Sequence, residues 1–593
     1  MDALDVQHPD PMLERAAFVP LDGWWEHVVL PGADLDRQDL PEQGWAPVRV
    51  PFAVETRDSG VERALQPDKT LVYRRRLEVP ATWAGRRLRI VLSAVDHSCQ
   101  VRVGGRVVAE HVGGYLPVEA VLRPDVVAAG VAGGLELTVL VTDPTDTASI
   151  QRGKQVLNPR TIWYTATSGI WGTTWMEPVP EVAVTGLRVE PLPGLDGFRV
   201  RVDTDAARPA DCELSLVAPD GERTVTRART GTWFLRPVDR PQLWSPRSPA
   251  LYRVRVRVGE DEVSSWAGLR TVGLTPGRAG VRRRRIVLNG RPVLVNAPLS
   301  QGYWPSSGMT PPDEQAIEHD LRTLKDMGFN AVRVHVKVES RRFYHLCDRL
   351  GLMVVQDMVS GGRPPLGIQA SGVMQALGYT VPDRSRLFRQ WTGRGKAADR
   401  AQFARELTAM VRHLRGHPSI IMWVPFNEGW GQFDSRRAEA AVRRLDPTRL
   451  VDAVSGWFDQ GRGDLRSRHR YVLRLRRAPR YDRRPFYLSE FGGLNLAVHG
   501  HVWDGEGLDA QFGYGFSADA KELARAMTRL YREQLVPLAA HGLAACTYTQ
   551  VSDVERETNG LMTYDREVVK VEPALMARLN AELEEAFRGA LVR

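Results

Sequence analysis

Hydrophobic and polar positions follow two different periods along the chain, and the change of period divides it. Before residue 275, short apolar–polar alternations such as "LELTVLVTD" and "LYRVRVRVGEDEV" are separated by Gly, Pro and Asp. This pattern is typical of antiparallel strands joined by turns. We therefore predict a jelly-roll β-sandwich over residues 1–180 and an immunoglobulin-like β-sandwich over residues 181–275.

After residue 275 the pattern becomes an alternation of apolar strands and amphipathic helices. The stretch "DEQAIEHDLRTLKDMG" places Ile317, Leu321 and Leu324 on one helical face, and the apolar strand "FNAVRVHV" follows it. Several such units succeed one another, so we predict a parallel (β/α)8 barrel, a TIM barrel, over residues 276–593. The alternative is an open doubly wound sheet, which is disfavoured because no glycine-rich phosphate-binding loop follows any strand.

Polar residues stand where the predicted barrel strands end, which is the edge where barrels of this kind carry their function. The apolar run in "IMWVPFNEGWGQFD" leads into Asn427 and Glu428, and the run in "RPFYLSEFGG" leads into Glu490. Two glutamates placed in this way form a candidate catalytic pair. The side chains expected around the pair are those of Arg333, His335, Asp357, His469, Trp457 and Tyr548.

Hydrolysis of a glycosidic bond requires a pair of carboxyl groups that flank the bond. One group holds a proton and delivers it to the leaving oxygen, whereas the other stays ionised and attacks the anomeric carbon. We expect Arg333 to keep Glu490 ionised, because an adjacent cation lowers the pKa of a carboxyl group. Each of these residues, taken singly, also has an ordinary structural interpretation. The prediction depends on their falling together at the strand ends of one barrel.

Longer segments of the chain resemble glycoside hydrolase family 2, the family of β-galactosidases, β-glucuronidases and β-mannosidases. The segments that carry the resemblance include "VPFAVET", "AVDHSCQVRVGGRVVAEHVGGYLP", "SGIWGTTWMEPV", "FYHLCDRLGLMVVQDM" and "YTQVSDVERETNGLMTYDR". The resemblance implies that Glu428 is the acid/base and Glu490 the nucleophile, with Asn427 bound to the sugar 2-OH and Arg333 beside the nucleophile. It also implies an exo-acting, retaining enzyme for terminal β-glycosides, with no organic cofactor. Some β-galactosidases of the family bind Mg²⁺ or Na⁺, but their ligands cannot be mapped onto this chain, so we predict no required metal.

Two departures from the family pattern bear on the sugar. Glucuronidases of the family carry an Asn-x-Lys motif before a segment like "GLMTYDR", where this chain has Glu557, Thr558 and Asn559. Many relatives carry Asp or His where this chain has Ser300. The first departure disfavours a β-glucuronide, and the second predicts that the sugar preference has drifted from plain galactose. Within the family we predict a β-galactosidase-like enzyme, with a β-galactofuranoside or an α-L-arabinoside as alternatives. A non-catalytic carbohydrate-binding relative is the alternative from a different class.

The formal net charge of +9 raises the question of an acidic partner. Arginines account for most of the positive charge and are spread along the chain, with clusters at residues 282–285 and 462–484. No nucleic-acid-binding motif accompanies them. We predict a solvated surface or a subunit contact for these arginines, with an anionic ligand as the alternative, and no nucleic-acid partner.

Other features bear on location and partners. The stretch "MDALDVQHPDPMLER" contains no apolar signal region, and no run of about eighteen apolar residues occurs. The cysteines are scattered, so we expect free thiols and a cytoplasmic location. The predicted partner is a carbohydrate substrate and not a membrane, and a homo-oligomer is left open. The segment 360–398 is long for a strand-to-helix connection, which favours a functional role.

Overall fold

The computed structural model describes residues 7–37, 39–276, 284–363, 380–471, 473–477, 482–503 and 511–592. Three groups of sheets succeed one another along these residues, in the order that the change of hydrophobic period predicts.

The first group is an antiparallel sandwich whose core lies between a six-stranded and a four-stranded sheet. Alternate residues of its strands, such as Leu71, Tyr73 and Val101, are fully buried between the sheets. The six-stranded sheet contains Ala46–Val50, Gly23–Pro31, Lys69–Leu77, Leu135–Thr142, Ser98–Val103 and Arg106–Val112. The four-stranded sheet contains Val19–Pro20, Thr174–Val179, Arg87–Leu92 and Val118–Leu122. Smaller elements are the helix Pro124–Gly133, the 3-10 turns Arg57–Ser59, Ala81–Trp83 and Thr145–Thr147, and the strand pairs Val95–Asp96 with Gly169–Ile170 and Gln155–Val156 with Tyr164–Thr165.

The second group is a smaller antiparallel sandwich of a three-stranded and a four-stranded sheet. Its strand Tyr252–Val258 alternates buried and exposed residues without a break, as a strand with one face on a core does. The three-stranded sheet contains Val184–Pro191, Gly197–Thr204 and Trp233–Pro237. The four-stranded sheet contains Arg223–Arg229, Asp211–Val217, Tyr252–Val258 and Asp261–Ala267. Short pairings follow in Trp244–Ser245 with Ser248–Pro249, and in Val272–Leu274, Ile286–Leu288 and Arg291–Pro292.

The third group is one curled sheet of eight parallel strands, which we number β1 to β8. They are β1 (Val295–Ser300), β2 (Ala331–Val334), β3 (Met353–Asp357), β4 (Ile420–Val424), β5 (Leu450–Val451), β6 (Arg466–Arg470), β7 (Phe486–Gly492) and β8 (Leu543–Thr549). The helices of this part are Glu314–Asp326, Arg341–Leu350, Arg386–Trp391, Ala397–Leu414, Ser435–Leu445, Ala520–Arg529, Val536–Ala539 and Pro573–Val592, with a π-helix at Leu530–Leu535 and a strand pair Leu494–Asn495 with Gly515–Phe516.

The strand order of this sheet is that of a (β/α)8 barrel, but its closure is incomplete. The order is β5-β4-β3-β2-β1-β8-β7-β6, so the first strand pairs with the last. No ladder joins β5 to β6 among the described residues. The reason is visible at β5, which is only two residues long. Asp464 takes the place of a neighbouring strand there, because its side chain accepts from the Val451 amide (2.8 Å) and its own amide donates to the Val451 carbonyl (2.7 Å).

The helix pattern predicted for the barrel is confirmed at its first helix. Ile317, Leu321 and Leu324 are buried on one face of Glu314–Asp326. The helix begins after Asp313, whose side chain accepts from the amide of Ala316 (2.7 Å) and so satisfies one free donor of the first turn. Helix and strand side chains together form the largest apolar core of the molecule, which holds the strand ends in place.

Two expectations from the sequence concern the cysteines and a membrane-spanning helix. The cysteines Cys99, Cys212, Cys347 and Cys546 are buried free thiols, as predicted. A search of the described helices finds none long and apolar enough to cross a membrane.

The arginine-rich stretches are only partly described. Arg282 and Arg283 lie outside the described residues, as does part of the segment 462–484. Within the described part, Arg484 pairs with Asp459 and Asp482 at 2.7 Å each. These contacts fit an internal ion-pair network.

Candidate active site

The predicted glutamates meet at the carboxyl edge of the barrel sheet. Glu490 lies within β7, and Glu428 follows β4 at the end of the stretch "VPFNE". Glu428 has a φ of 52°, in the left-handed region that few residues other than glycine adopt. Its amide donates to the Ser455 carbonyl at 2.9 Å, which holds the turn. Gly431 follows because an added Cβ would collide with the carbonyl of Gly361.

A histidine lies between the two carboxyl groups. His469 Nδ1 is 2.7 Å from Glu428 Oε1 and 3.2 Å from Glu490 Oε2. One oxygen of each glutamate and a ring nitrogen of His469 all lie within 4.8 Å of one another. This closeness resembles the separation of about 5 Å in retaining glycosidases and not the roughly 6.5–9.5 Å of inverting ones.

The surroundings of Glu490 include a cation and a hydroxyl donor. Arg333 Nη1 is 3.2 Å from Glu490 Oε1, and the Tyr471 hydroxyl donates to the other oxygen. Burial raises the pKa of Glu490, and Arg333 and the hydrogen bond from Tyr471 act in the opposite direction. Arg333 thus acts in the predicted direction, but burial outweighs it. The main partner of this arginine is Asp357, which it holds with two bonds of 3.0 and 2.9 Å.

Glu428 has no lysine or arginine in direct contact among the described residues, and its nearest partner is His469. Burial raises the pKa of Glu428 to about 7. Its neighbour His469 gives no positive charge at neutral pH, because burial lowers the pKa of that imidazole to about 4. The contrast between the two carboxyl groups therefore favours Glu428 as the group that keeps its proton and Glu490 as the anion.

Arg333 connects the other predicted residues of the site. Its Nη2 donates to Asn427 Oδ1 at 2.9 Å, and it is fully buried. Burial alone would raise the pKa of Asp357, but Arg333 and His335 hold it below its usual value. His335 Nδ1 is 3.1 Å from Asp357 Oδ2, and burial lowers the pKa of His335 to about 3. Four predicted residues thus form one hydrogen-bonded group with Glu490.

The two predicted aromatic residues have different positions. The Trp457 ring centroid lies 6.3 Å from that of His469, at the border of the site. Tyr548 lies in the large apolar core and packs edge-on against Phe491 at 5.7 Å. The reason is the strand alternation, since the next residue, Thr549, has its Oγ1 3.1 Å from the Tyr471 hydroxyl. The structure therefore does not bring Tyr548 to the glutamates.

Tyr471 is a site residue that the sequence analysis missed. It directly follows β6, and its ring stacks on Tyr514 with centroids 4.0 Å apart. The available signal was its position two residues after His469, which places both side chains on one side of an extended chain. The surrounding arginines obscured this signal.

A segment of the first domain, residues 149–165, forms another wall of the site. The Trp163 ring stacks on Trp430 with centroids 5.0 Å apart. The Ser149 carbonyl accepts from Arg394 at 2.8 Å. Arg394 belongs to the long segment 360–398, of which residues 364–379 lie outside the described part of the chain.

Some buried polar atoms at the site have no hydrogen-bond partner within the described ranges. They are Asn427 Nδ2, Trp430 Nε1 and Gln550 Oε1. Buried polar groups in folded proteins are nearly always paired, so these atoms are suited to a polar ligand. Glu428, His469 and Glu490 also have the spacing of a cation site, as does a more exposed group of His501, Asp565 and Glu567. The predicted absence of a required metal stays a prediction.

Comparison with known proteins defines the class. Residues 24–171 match the sugar binding domain of glycosyl hydrolases family 2, residues 198–270 match a further family 2 domain, and residues 280–474 match the family 2 TIM barrel domain. The three matches follow one another in the same order as the three groups of sheets. The chain belongs to glycosyl hydrolase family 2.

Individual relatives differ in the sugar that their names give. A beta-galactosidase of Aeromonas hydrophila subsp. hydrophila is 28% identical over 483 residues, which is 76% of this chain and 42% of that protein. A beta-galactosidase 2 of Enterobacter cloacae is 26% identical over 430 residues, covering 68% of this chain and 37% of that protein. The chain thus spans about two fifths of the length of these curated relatives.

Similar solved structures carry other names. A beta-glucuronidase of an uncultured Clostridium sp. has a TM-score of 0.72 at 16% identity, covering 96% of this chain and 99% of that one. A GH2 beta-galacturonidase of Eisenbergiella tayi has a TM-score of 0.67 at 17% identity, with 98% of each chain covered. At these identities the likeness shows the fold alone.

Proposed function

We propose that the protein is a retaining exo-β-glycosidase that removes a terminal, non-reducing sugar. The observation that carries this proposal is the close placement of Glu428 and Glu490, with one oxygen of each within 4.8 Å. Glu490 attacks the anomeric carbon, while the bond to the leaving oxygen breaks and that oxygen takes the proton of Glu428. Water then attacks the covalent glycosyl-enzyme, gives its proton to Glu428, and releases Glu490 and a sugar of retained configuration.

The neighbouring side chains supply positioning in this proposal. Asn427 Nδ2 donates to the sugar 2-OH, an interaction that strengthens in the transition state. Arg333, with Asp357 and His335 behind it, fixes Asn427 and Glu490 relative to each other. The sugar-binding role that we assign to His469 rests on its place between the two glutamates, and that of Trp457 rests on its ring beside His469. Tyr548 is left out of this proposal.

For the sugar we propose a galactose-like glycon, which the names of the curated relatives support. A β-galactofuranoside and an α-L-arabinoside are the alternatives. A β-glucuronide is disfavoured, because the buried carboxylate of Glu557 stands in the place of the Asn-x-Lys motif and would repel the carboxylate of the sugar.

The test is hydrolysis of a panel of nitrophenyl glycosides by the wild type and by Glu490→Gln. The panel contains β-galacto-, gluco-, manno-, glucurono- and galactofuranosides and α-L-arabinosides. We expect one or two neutral glycosides to be hydrolysed, and that activity to be absent from the variant. Binding of a sugar without turnover of any glycoside would instead support the carbohydrate-binding alternative.

A positioning role for Arg333 predicts a specific effect of Arg333→Lys. Lysine cannot span Asp357, Asn427 and Glu490 together, so we expect kcat/KM to fall about 10²-fold. Arg333 lowers the pKa of Glu490 against the effect of burial, so a weaker contact raises that pKa. The acid side of the kcat/KM profile should therefore move to higher pH. The control is Arg270→Lys, at a buried arginine that bonds to the carbonyls of Pro418 and Ile420. If the acid side of the kcat/KM profile were unchanged in Arg333→Lys, this would contradict the positioning role of Arg333.

A further inference from the structure

We propose that Lys154 and Glu557 form a specificity-determining pair that selects an uncharged sugar and rejects a uronic acid. This inference rests on the proposed glycosidase function and extends it to two residues from different domains. Lys154 belongs to the segment 149–165 of the first domain, and Glu557 follows β8 of the barrel. Their nearest charged atoms, Lys154 Nζ and Glu557 Oε2, are 3.7 Å apart.

Lys154 stands apart from the other buried lysines of the described chain, Lys337 and Lys570. Each of those two donates three bonds of 2.6 to 2.9 Å, two to carbonyl oxygens and one to a carboxylate. With the described residues, the Lys154 ammonium makes one long hydrogen bond, 3.4 Å to the Tyr164 hydroxyl, besides its 3.7 Å contact with Glu557. A buried ammonium with such weak partners has N–H groups to offer to a ligand.

The position of Lys154 is fixed by local structure. Its carbonyl accepts from the Tyr164 amide at 3.0 Å, and the strand pair Gln155–Val156 with Tyr164–Thr165 follows directly. The ammonium lies 5.1 Å from the centroid of the Tyr164 ring. The side chain of Lys154 is only 6% exposed, so packing against protein atoms holds its methylene groups in place.

Glu557 is fixed more firmly than its partner. One carboxylate oxygen accepts from the Tyr164 hydroxyl, and the other accepts from Asn559 Nδ2 at 3.1 Å. Burial raises the pKa of Glu428, the charge of Lys154 lowers it and the charge of Glu557 raises it. Lys154 also adds to the lowering of the pKa of His335 that burial causes. The segment that carries Lys154 reaches the site at Trp163, whose ring stacks on Trp430 with centroids 5.0 Å apart, and Trp430 is two residues from Glu428 in the chain.

The charges explain the selection. A sugar hydroxyl can accept from the ammonium of Lys154 and donate to the carboxylate of Glu557, so it fits both. A sugar carboxylate has no proton to donate and is repelled by Glu557, while the charge of Lys154 is already balanced. Removal of the Glu557 charge would leave Lys154 as an uncompensated cation, which favours an anionic ligand.

The first experiment compares Glu557→Gln with the wild type on nitrophenyl galactoside and galacturonide, and on glucoside and glucuronide. We expect the ratio of kcat/KM for the uronide to that for its neutral counterpart to rise at least about 10-fold. The matched control is Glu339→Gln, which removes the carboxylate from the buried pair that Lys337 makes at 2.8 Å. That variant should leave the ratio unchanged, because its lysine keeps two carbonyl partners.

A second readout is the alkaline side of the pH profile, on which the two residues act in opposite directions. Burial raises the pKa of Glu428 to about 7, the charge of Lys154 lowers this pKa, and the charge of Glu557 raises it. The alkaline side of the profile should therefore move to higher pH in Lys154→Met and to lower pH in Glu557→Gln. Lys154→Arg should restore the wild-type profile. A merely structural pair would change stability without these opposite shifts.

Failure of this inference can be told apart from failure of the proposed function. A wild type that hydrolyses a glycoside, with unchanged ratios and profiles in the variants, would overturn the inference alone. A wild type without turnover would overturn the proposed function, and calorimetry with galactose and galacturonic acid would then decide about the pair. Weaker galactose binding and stronger galacturonate binding in Glu557→Gln would uphold it, and binding that is equal to the wild type for both sugars would overturn it.

Discussion

Glu490→Gly is expected to lower kcat by at least about 10⁴-fold on every glycoside that the wild type hydrolyses. The variant lacks the oxygen that forms the covalent intermediate, and neither Tyr471 nor Arg333, which contact that carboxylate, can replace it. Azide should restore part of the turnover, because it fits the space that the side chain leaves. It would attack from the same side as Glu490 and give a glycosyl azide of inverted configuration.

The matched control for this result is Glu490→Gln. Its amide fills the same space without being a nucleophile, so we expect the same loss of activity and no restoration by azide. Mass spectrometry of the wild type with a 2-fluoro glycoside should place one sugar on the peptide that contains Glu490. An azide product of retained configuration, or a sugar attached elsewhere, would contradict the assignment of the nucleophile.

The contact between Glu428 and Glu490 could be predicted from sequence because each glutamate stands at the end of an apolar run. In a (β/α)8 barrel such positions converge on one edge, so two local patterns were enough to predict a contact between Glu428 and Glu490. Arg333 and His335 could be predicted for a similar reason, since residues two apart on a strand share a side. Their roles in the reaction remain proposals.

Contacts between domains could not be predicted in this way. Lys154 and Trp163 lie in a segment whose hydrophobic pattern only indicates short strands, yet the fold places them against Glu557 and Trp430. Nothing in local periodicity says which loop of one domain reaches the edge of another. The direction of the pKa shift of Glu490 could not be predicted from sequence either, because the raising effect of burial outweighs the lowering effect of Arg333.

The barrel was predicted to close, but β5 and β6 do not pair among the described residues, for a reason too local to be seen in the hydrophobic pattern. A strand of two residues, Leu450–Val451, gives no hydrophobic period of its own. One aspartate, Asp464, satisfies its free backbone groups and removes the need for a neighbouring strand there. Sequence patterns predict strand number and order well, whereas single side chains that replace a ladder are visible only in the structure.

Glu428→Gln is expected to have an effect that depends on the leaving group. With a poor leaving group, such as an alkyl glycoside, kcat/KM should fall about 10²–10⁴-fold, because proton donation is lost. With dinitrophenyl glycosides, whose leaving oxygen needs no proton, the first step should be nearly unchanged. The alkaline decline near pH 7 should disappear for the variant, since burial raises the pKa of Glu428 to about 7 and activity is lost as this group gives up its proton.

The matched control for this prediction is Glu406→Gln. Burial also raises the pKa of Glu406 to about 7. Its carboxylate lies on the helix Ala397–Leu414 and accepts from Gln402 of that helix and from Gln151 of the first domain. If the alkaline decline reported general burial of carboxyl groups, both variants would lose it. Because only Glu428 adjoins His469 and Glu490, we expect the decline to persist in Glu406→Gln. Its persistence in Glu428→Gln would instead mean that another group donates the proton.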